Sequence, residues 1–241
     1  MNSSKLALVT GASRGVGAEV SRQLAQSGAD VIINYRSKAP RAQSVADEVI
    51  ALGQRAFLAP GDITNAADIE AMMNTVKDAG ALEYLILNAS GGLEKDAAPD
   101  YAMQLNLTAQ VRLTEAALPL MARGGRIVFV TSHLAHFYHD KPMDGIYAPV
   151  AASKRAGEDA LRAKMDEFAA TGVSLVVVSG DMIEGTITPK LLERAQRGTI
   201  ETRRQQAGQL PDVAEFARAI VEAARDKNLA SGATIYVGTV D

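Results

Sequence analysis

The chain has 241 residues, and its 25 Lys and Arg against 28 Asp and Glu give a formal net charge of −3. This balance offers no basic surface for nucleic acid or anionic lipid. The chain contains no cysteine, which excludes disulfides, thiolate metal sites and a cysteine nucleophile. No run approaches the roughly 18–20 apolar residues of a membrane helix, and the first residues lack the layout of a signal peptide. We therefore expect a cytoplasmic protein with neither a nucleic-acid nor a membrane partner.

Short, almost continuously apolar runs recur along the chain, which is typical of strands covered on both faces of a parallel sheet. These runs are Leu6–Thr10, Val31–Asn34, Ala56–Ala59, Leu82–Leu87, Ile127–Thr131, Val173–Val178 and Thr234–Val237. We expect helices between them to begin at Pro40, at Thr64 or Asn65, and at Pro211. Several helices are expected to end at a glycine in a left-handed turn, namely Gly28, Gly53, Gly80 and Gly172. This order predicts βαβ units in one α/β domain over residues 1–241, a doubly wound parallel sheet of about seven strands flanked by helices.

A glycine-rich loop follows the first strand and leads into a helix. Gly11, Gly15 and Gly17 stand at the spacing that a tight turn, close backbone approach to phosphate and helix–strand packing require. The helix N-terminus then presents free N–H groups and a positive dipole end to the anion. The loop therefore predicts dinucleotide binding by a Rossmann-type sheet.

The loop, preceded by Thr10, resembles that of the short-chain dehydrogenase/reductase family, and the resemblance extends over nearly the whole chain. Further matching segments are Asp62-Ile63, Asn88-Ala89-Ser90-Gly91, Asn106 within Leu-Asn-Leu, Ser132, and Ser153-Lys154. The resemblance implies an oxidoreductase in which Ser132, Lys154 and Asn106 are catalytic and no metal takes part. It also implies a nicotinamide cofactor held by Gly11, Ser13, Arg14, Gly15, Val16, Gly17, Tyr35, Arg36, Ser37, Asp62, Ile63, Asn88, Ala89, Ser90, Lys154, Gly180, Ile183 and Thr186.

The residues after the second strand indicate which nicotinamide cofactor is preferred. Folds that prefer NAD usually carry an acidic residue there for the ribose 2′-hydroxyl, but this strand ends in Asn34-Tyr35-Arg36-Ser37. An arginine can grip a 2′-phosphate with its planar fork. Arg14 in the glycine loop adds a second cation. We therefore expect NADP(H) to be preferred over NAD(H).

One position departs from the family pattern. The family carries its proton-donating tyrosine four residues before the lysine, and Val150 stands there. The nearby Tyr147 is seven residues before Lys154, on nearly the same helix face but about 4.5 Å further along the axis than position 150. Three interpretations stay open. Tyr147 substitutes as donor, another group serves, or the chain binds NADP(H) with little turnover. The other donors are water and His133, His136, Tyr138 and His139, of which His133 directly follows Ser132.

The substrate is expected beyond the carboxyl ends of the strands. Residues 186–210 resemble a substrate lid that carries Arg194, Arg197, Arg203 and Arg204. These arginines fit an acidic substrate or closure over phosphates, but the pattern favours a solvated basic helix face. A pocket lined by Met182, Ile183, Tyr147 and Phe137 suits an apolar or aromatic ketone. Relatives often form dimers or tetramers, so the resemblance implies a homodimer or homotetramer.

Together these features predict an NADP(H)-dependent carbonyl reductase or alcohol dehydrogenase with an altered proton donor. The small-molecule substrate is expected to be a small or aromatic ketone or the matching alcohol. The alternative is a catalytically weak or inactive NADP(H)-binding sensor or structural subunit.

Overall fold

A computed structural model describes residues 5–94, 97–141, 143 and 145–240. Within these residues seven parallel strands form one sheet in the order β3-β2-β1-β4-β5-β6-β7. The strands are β1 Lys5–Val9, β2 Ala29–Tyr35, β3 Ala56–Pro60, β4 Leu82–Leu87, β5 Met121–Ser132, β6 Ser174–Gly180 and β7 Thr234–Val237. The order reverses between β1 and β4, which is where open α/β sheets bind their ligands. The expected doubly wound α/β fold is confirmed.

Helices cover both faces of the sheet. They are α1 Gly15–Gln26, α2 Ala39–Ala51, α3 Ala66–Ala79, α4 Tyr101–Met103, α5 Ala109–Ala117, α6 His133–His136, α7 Ala148–Arg162, α8 Met165–Thr171, α9 Ile187–Ala195, α10 Thr199–Ala207 and α11 Val213–Arg225. A π-helical turn, Gln104–Thr108, joins α4 to α5. In the described part of the chain, no helix combines the length and the apolar character needed to cross a membrane.

The side chains on the two faces of the sheet belong to two separate hydrophobic clusters. Along β1, Ala7 and Val9 join the cluster built with α1, α2 and α11, whereas Leu6 and Leu8 join the one built with α3, α5 and α8. This alternation follows from the two-residue period of a strand. Leu8 is fully buried, and removing such a side chain to alanine typically costs about 2–5 kcal/mol. The two clusters fix the sheet that carries the site.

Several boundaries differ from the sequence expectations for identifiable reasons. Strand β2 begins at Ala29 rather than Val31 because the buried carboxylate of Asp30 is paired with Arg55, through the Arg55 amide at 2.8 Å and its Nε at 2.9 Å. The last helix begins at Val213 rather than at Pro211, because the Asp212 side chain caps the Glu215 amide at 2.8 Å.

The expected helix starts and glycine turns are mostly confirmed. Asn65, not Thr64, caps α3 by accepting from the amides of Ala67 and Asp68. Gly28, Gly53 and Gly172 have φ between +77° and +88°, in the left-handed region, as the pattern predicts. Gly80 differs: its φ of 135° and ψ of −165° are accessible to glycine but lie outside the left-handed helical region.

Candidate active site

One large cleft lies at the carboxyl ends of the strands, with a volume of about 1290 Å³. Every residue predicted to hold the cofactor lines this cleft, from Gly11 in the glycine loop to Thr186 after β6. So do Ser132, His133, Tyr147 and Lys154 among the predicted catalytic residues. The fifth, Asn106, lies behind the wall and is 1% exposed. The sheet therefore brings together residues that stand far apart in the sequence.

The glycine loop has the geometry of a phosphate cradle. Gly11 and Gly15 have positive φ angles of 64° and 56°, which other residues rarely adopt. A Cβ at Gly17 would stand 2.6 Å from both the Gly11 carbonyl oxygen and the Asn88 Nδ2. The residue before α1, Arg14, makes no side-chain cap, so the amides of the first turn stay open to the cleft. This end of the cleft fits the pyrophosphate of a dinucleotide.

Thr10 ties the glycine loop to the segment after β4. Its Oγ1 accepts from the amides of Asn88 and Ala89, both at 2.9 Å. The Asn88 side chain donates in turn to the Thr10 carbonyl oxygen at 2.9 Å. These bonds fix the two loops across the point where the strand order reverses. Asn88 and Ala89, which are predicted to contact the cofactor, are thereby held in place by hydrogen bonds.

The end of β2 carries a cation and no carboxylate. Arg36 lies beside the cleft, and its Nη1 donates to the Tyr101 hydroxyl at 2.6 Å and lies 3.7 Å from the Asp62 carboxylate. The other Asp62 oxygen accepts from the amide and the hydroxyl of Thr64 at 2.9 and 2.7 Å. The sequence offered no signal for Tyr101, because no motif includes it and its contact spans 65 positions.

Ser132 and Tyr147 meet at the opposite end of the cleft. Ser132 ends β5, Tyr147 precedes the first residue of α7, and their hydroxyl oxygens are 2.9 Å apart. Ser132 also caps α6 by accepting from the Ala135 amide at 3.3 Å. Tyr147 is 7% exposed and packs with Ala135 and Val150 in a small apolar cluster. Burial raises the pKa of its phenol, and the bond to Ser132 partly opposes that rise. The phenol therefore keeps its proton at neutral pH.

Lys154 reaches the same cleft from the second turn of α7. Its side chain is buried, and burial lowers the pKa of its ammonium from 10.5 to about 8. Val150, one turn earlier, is also buried and lines the cleft. Val150 therefore presents an aliphatic side chain to the cleft, and the Tyr147 phenol lines the cleft from the start of the helix.

Asn106 fastens α7 to the segment after β4. It lies in the π-helical turn, and its Nδ2 donates to the Gly91 carbonyl oxygen and to Ser153 Oγ, each at 3.0 Å. A Cβ at Gly157 would stand 2.1 Å from the Asn106 carbonyl oxygen, so only glycine allows this close approach. Asn106 thus ties the part of α7 that carries Ser153 and Lys154 to the segment after β4.

The histidines take part in other contacts. The His133 ring bonds Ser179 Oγ through Nδ1 at 2.8 Å, and its centroid lies 6.4 Å from that of Phe137 and 5.9 Å from that of Tyr236. His136 contacts the buried Glu158 at 2.9 Å, and His139 contacts Asp159 on the same helix at 2.8 Å. His136, His139 and Tyr138 lie outside the cleft lining. Of the alternative donors considered from the sequence, Tyr147 is the one whose hydroxyl contacts Ser132.

The segment predicted as a lid contains α9 and α10, and residues of both helices line the cleft. Two of its arginines are paired with carboxylates that follow β6. Arg203 bonds Asp181 through Nε and Nη2 at 2.8 and 2.9 Å, and Arg204 lies 2.7 Å from Glu184. These two arginines are therefore ion-paired within the chain. Arg197 lines the cleft, as do Met182, Ile183 and Phe137, the apolar residues expected around a substrate.

Residues 5–196 match the family model described as short chain dehydrogenase. The chain belongs to this family. The resemblance predicted from the sequence is confirmed. Within the described residues, 5–94, 97–141, 143 and 145–240, no group of three or more His, Asp or Glu side chains is arranged to hold a metal ion.

The chain is similar to curated proteins and to a solved structure that are named as reductases or dehydrogenases. It is 31% identical to 1-cyclohexenylcarbonyl-CoA reductase of Streptomyces collinus over 75% of its own length and 65% of that protein. It is 34% identical to the hydroxynaphthalene reductase-like protein Arp2 of Metarhizium robertsii over 64% of its length and 59% of that protein. The chain thus spans less than two thirds of either relative.

A short chain dehydrogenase from Burkholderia cenocepacia J2315, solved in complex with NADP, is 26% identical. The alignment covers 97% of this chain and 96% of that one, with a TM-score of 0.83. The family match and this structure support a nicotinamide cofactor, and the glycine loop described above fits one.

Proposed function

We propose that the chain is an NADP(H)-dependent carbonyl reductase or alcohol dehydrogenase that acts on a small or aromatic ketone, with Tyr147 as the proton donor. The observation that carries this proposal is the 2.9 Å contact between the Tyr147 and Ser132 hydroxyls in the cleft that Lys154 also lines. Loss of a general acid typically costs about 10²–10⁴ in rate. Tyr147, buried beside Ser132, would supply the proton in place of a tyrosine at position 150 and so avoid that loss of rate.

The residues divide the chemistry between them. A nicotinamide cofactor bound in the cleft would supply the hydride for the carbonyl carbon. Ser132 holds the carbonyl oxygen by a hydrogen bond, and Tyr147 transfers its proton to that oxygen as it becomes an alkoxide. Lys154 holds the ribose hydroxyls and adds positive charge to the site. Asn106 positions Lys154 through the bond to Ser153. The same residues acting in reverse oxidise an alcohol.

The preference for NADP(H) is supported by the charges at the end of β2. Arg36 lines the cleft there, and strand β2 ends at Tyr35 with no acidic side chain. Arg14 faces the cleft from the glycine loop. A 2′-phosphate carries negative charge that a carboxylate repels and a guanidinium binds in bidentate fashion.

The test replaces Tyr147 by phenylalanine, which removes the hydroxyl and keeps the ring. With NADPH and a panel of aliphatic and aromatic ketones, we expect kcat to fall about 10²–10⁴-fold while the Kd for NADPH is unchanged. Tyr138→Phe is the matched control, because that tyrosine lies near the same cluster but outside the cleft. A fall in kcat of less than about threefold excludes Tyr147 as the donor. Tight NADPH binding with no turnover on any substrate favours the alternative, a sensor or structural subunit.

A second candidate is reduction of a carbon–carbon double bond conjugated to a thioester. One curated relative is named for such a substrate, 1-cyclohexenylcarbonyl-CoA. In that chemistry the hydride adds to the β-carbon, the electrons move to the carbonyl oxygen as an enolate, and a proton then adds to the α-carbon. The oxygen lies two bonds further from the hydride acceptor than in a ketone. The phenol of Tyr147 is attached three residues before position 150, a displacement of about 4.5 Å along the helix axis, which suits that longer separation.

A pair of matched thioesters separates the two candidates. Acetoacetyl-CoA carries a ketone and crotonyl-CoA carries a conjugated alkene, and both are thioesters of coenzyme A. Turnover of acetoacetyl-CoA to a hydroxyacyl product supports the ketoreductase, whereas conversion of crotonyl-CoA to butyryl-CoA supports the second candidate. Mass spectrometry of the products distinguishes the reactions directly.

We also infer a homodimer or homotetramer, by likeness to the family. Small, partly exposed side chains on α7 allow close packing against a second copy, namely Ala152, Ala156 and Ala160. Light scattering coupled to size exclusion measures the assembly, and a monomer at micromolar concentration contradicts the inference.

A further inference from the structure

Tyr101 closes one end of the cleft by contacting Arg36. Arg36 follows β2, whereas Tyr101 begins α4 on the segment that follows β4. The two side chains meet at 2.6 Å between Arg36 Nη1 and the Tyr101 hydroxyl, and both line the cleft. Residues that belong to opposite sides of the strand-order reversal are thereby joined.

The two partners differ in how firmly the fold holds them. The Tyr101 ring is half-buried and packs against the hydrophobic cluster of α3 and α5. The Arg36 side chain is 55% exposed. A free arginine in this setting samples many rotamers, and a ligand must bear the entropy of ordering it. A bond to a fixed tyrosine orders the guanidinium before any ligand arrives.

The contacts occupy only one part of the guanidinium. Both the bond to Tyr101 and the ion pair with Asp62, at 3.7 Å, involve Nη1. Arginine carries five N–H donors in a rigid plane. Bidentate recognition of a phosphate uses two of them in parallel. The edge formed by Nε and Nη2 has the geometry for that task.

We propose that Tyr101 is a positioning residue for cofactor selectivity, and that its hydroxyl holds Arg36 so that the guanidinium grips the 2′-phosphate of NADP(H). The proposal rests on the NADP(H) preference proposed above. It assigns a second residue to the discrimination between NADP(H) and NAD(H), contributed by the segment that leads into the π-helical turn with Asn106.

The test compares two fragments that differ by one phosphate. Binding of adenosine 2′,5′-bisphosphate and of 5′-AMP is measured by calorimetry for wild type and Tyr101→Phe. We expect the affinity for the bisphosphate and for NADPH to fall about 3- to 10-fold, whereas those for 5′-AMP and NADH stay within about twofold. Tyr84→Phe is the matched control, because it also removes a hydroxyl that accepts from a cation, Lys5 at 2.7 Å, but at a residue outside the cleft lining.

A double-mutant cycle separates positioning from a general structural effect. Once Arg36→Gln has removed the guanidinium, Tyr101→Phe should lower bisphosphate affinity no further. Two results overturn the proposal while leaving the NADP(H) preference intact. Equal losses for both fragments indicate a structural role, and tighter bisphosphate binding by Tyr101→Phe indicates that the tyrosine competes with the phosphate. If wild-type protein binds both fragments equally, the proposed NADP(H) preference fails as well.

Discussion

The buried ammonium of Lys154 predicts that the protein becomes more stable as the pH rises above neutral. Burial lowers the pKa of this group to about 8 in the folded, cofactor-free chain, against 10.5 when it is exposed. Between these values the unfolded chain binds a proton that the folded chain has released, so the free energy of unfolding increases with pH. Each pKa unit is worth about 1.36 kcal/mol, and the difference of about 2.5 units sets an upper bound of about 3 kcal/mol.

Urea denaturation measures this effect for wild type and for Lys154→Met, which keeps most of the side-chain volume and carries no charge. Between pH 7.5 and 9.5, we expect the wild-type free energy of unfolding to rise by about 2 kcal/mol relative to the variant. The range ends below the pKa of about 10 of exposed tyrosines, and the comparison with the variant cancels their partial ionisation. Parallel pH profiles for the two proteins would refute the reasoning, because they would mean that Lys154 does not titrate differently in the folded state.

The same titration has a catalytic consequence. A neutral Lys154 no longer contributes positive charge beside the reacting oxygen, so kcat/KM for reduction should fall as the pH rises through about 8. At saturating NADPH, the profile of kcat/KM for the carbonyl substrate reports groups in the enzyme–NADPH complex, and its midpoint is compared with the pKa of about 8 in the cofactor-free chain. A flat profile up to pH 9.5 contradicts this assignment.

Three further predictions concern other parts of the cleft. Arg36→Asp should reverse the ratio of NADPH to NADH affinity in fluorescence titrations, and Arg36→Lys should leave its direction unchanged. Gly157→Ala should destabilise the fold by about 1–3 kcal/mol in thermal or urea unfolding, because its Cβ would stand 2.1 Å from the Asn106 carbonyl oxygen; unchanged stability contradicts that close approach. Asp181→Asn weakens the ion pair with Arg203 of α10 and should raise KM for the carbonyl substrate about 3- to 10-fold. Glu184→Gln, at the more exposed pair with Arg204, should have little effect on KM. Equal effects of the two substitutions would count against a role of the α10 segment in closing over the substrate.

The parts of the fold that follow from local chemistry were predictable. Continuous apolar runs identified the strands, and the glycine spacing after β1 identified the cradle because few residues other than glycine accept a φ of +64° at Gly11. The ends of the strands and helices were harder to predict. Asp30 pairs with Leu6 of β1 in the sheet, and Arg55, on a neighbouring segment, satisfies its buried carboxylate. A polar residue whose partner is remote gives no sign of burial in its own neighbourhood.

The candidate site shows the same division. Ser132 and Lys154 were recognisable from segments that match a family pattern. The position of the Tyr147 phenol was not, since a residue at a helix start can point to several directions and its meeting with Ser132 depends on how α7 packs. Tyr101 was missed entirely, because its contact with Arg36 is made only when the segments after β2 and β4 come together.

The cap that Ser132 provides to α6 has a consequence for the direction of the hydrogen bonds around it. A hydroxyl has one proton and two lone pairs, and the Ala135 amide already occupies one lone pair at 3.3 Å. The cap favours Ser132 as a donor of its single proton, and both the Tyr147 oxygen, 2.9 Å away, and a substrate carbonyl oxygen are able to accept it. In either arrangement the hydrogen of the Tyr147 phenol is available to an oxygen in the cleft.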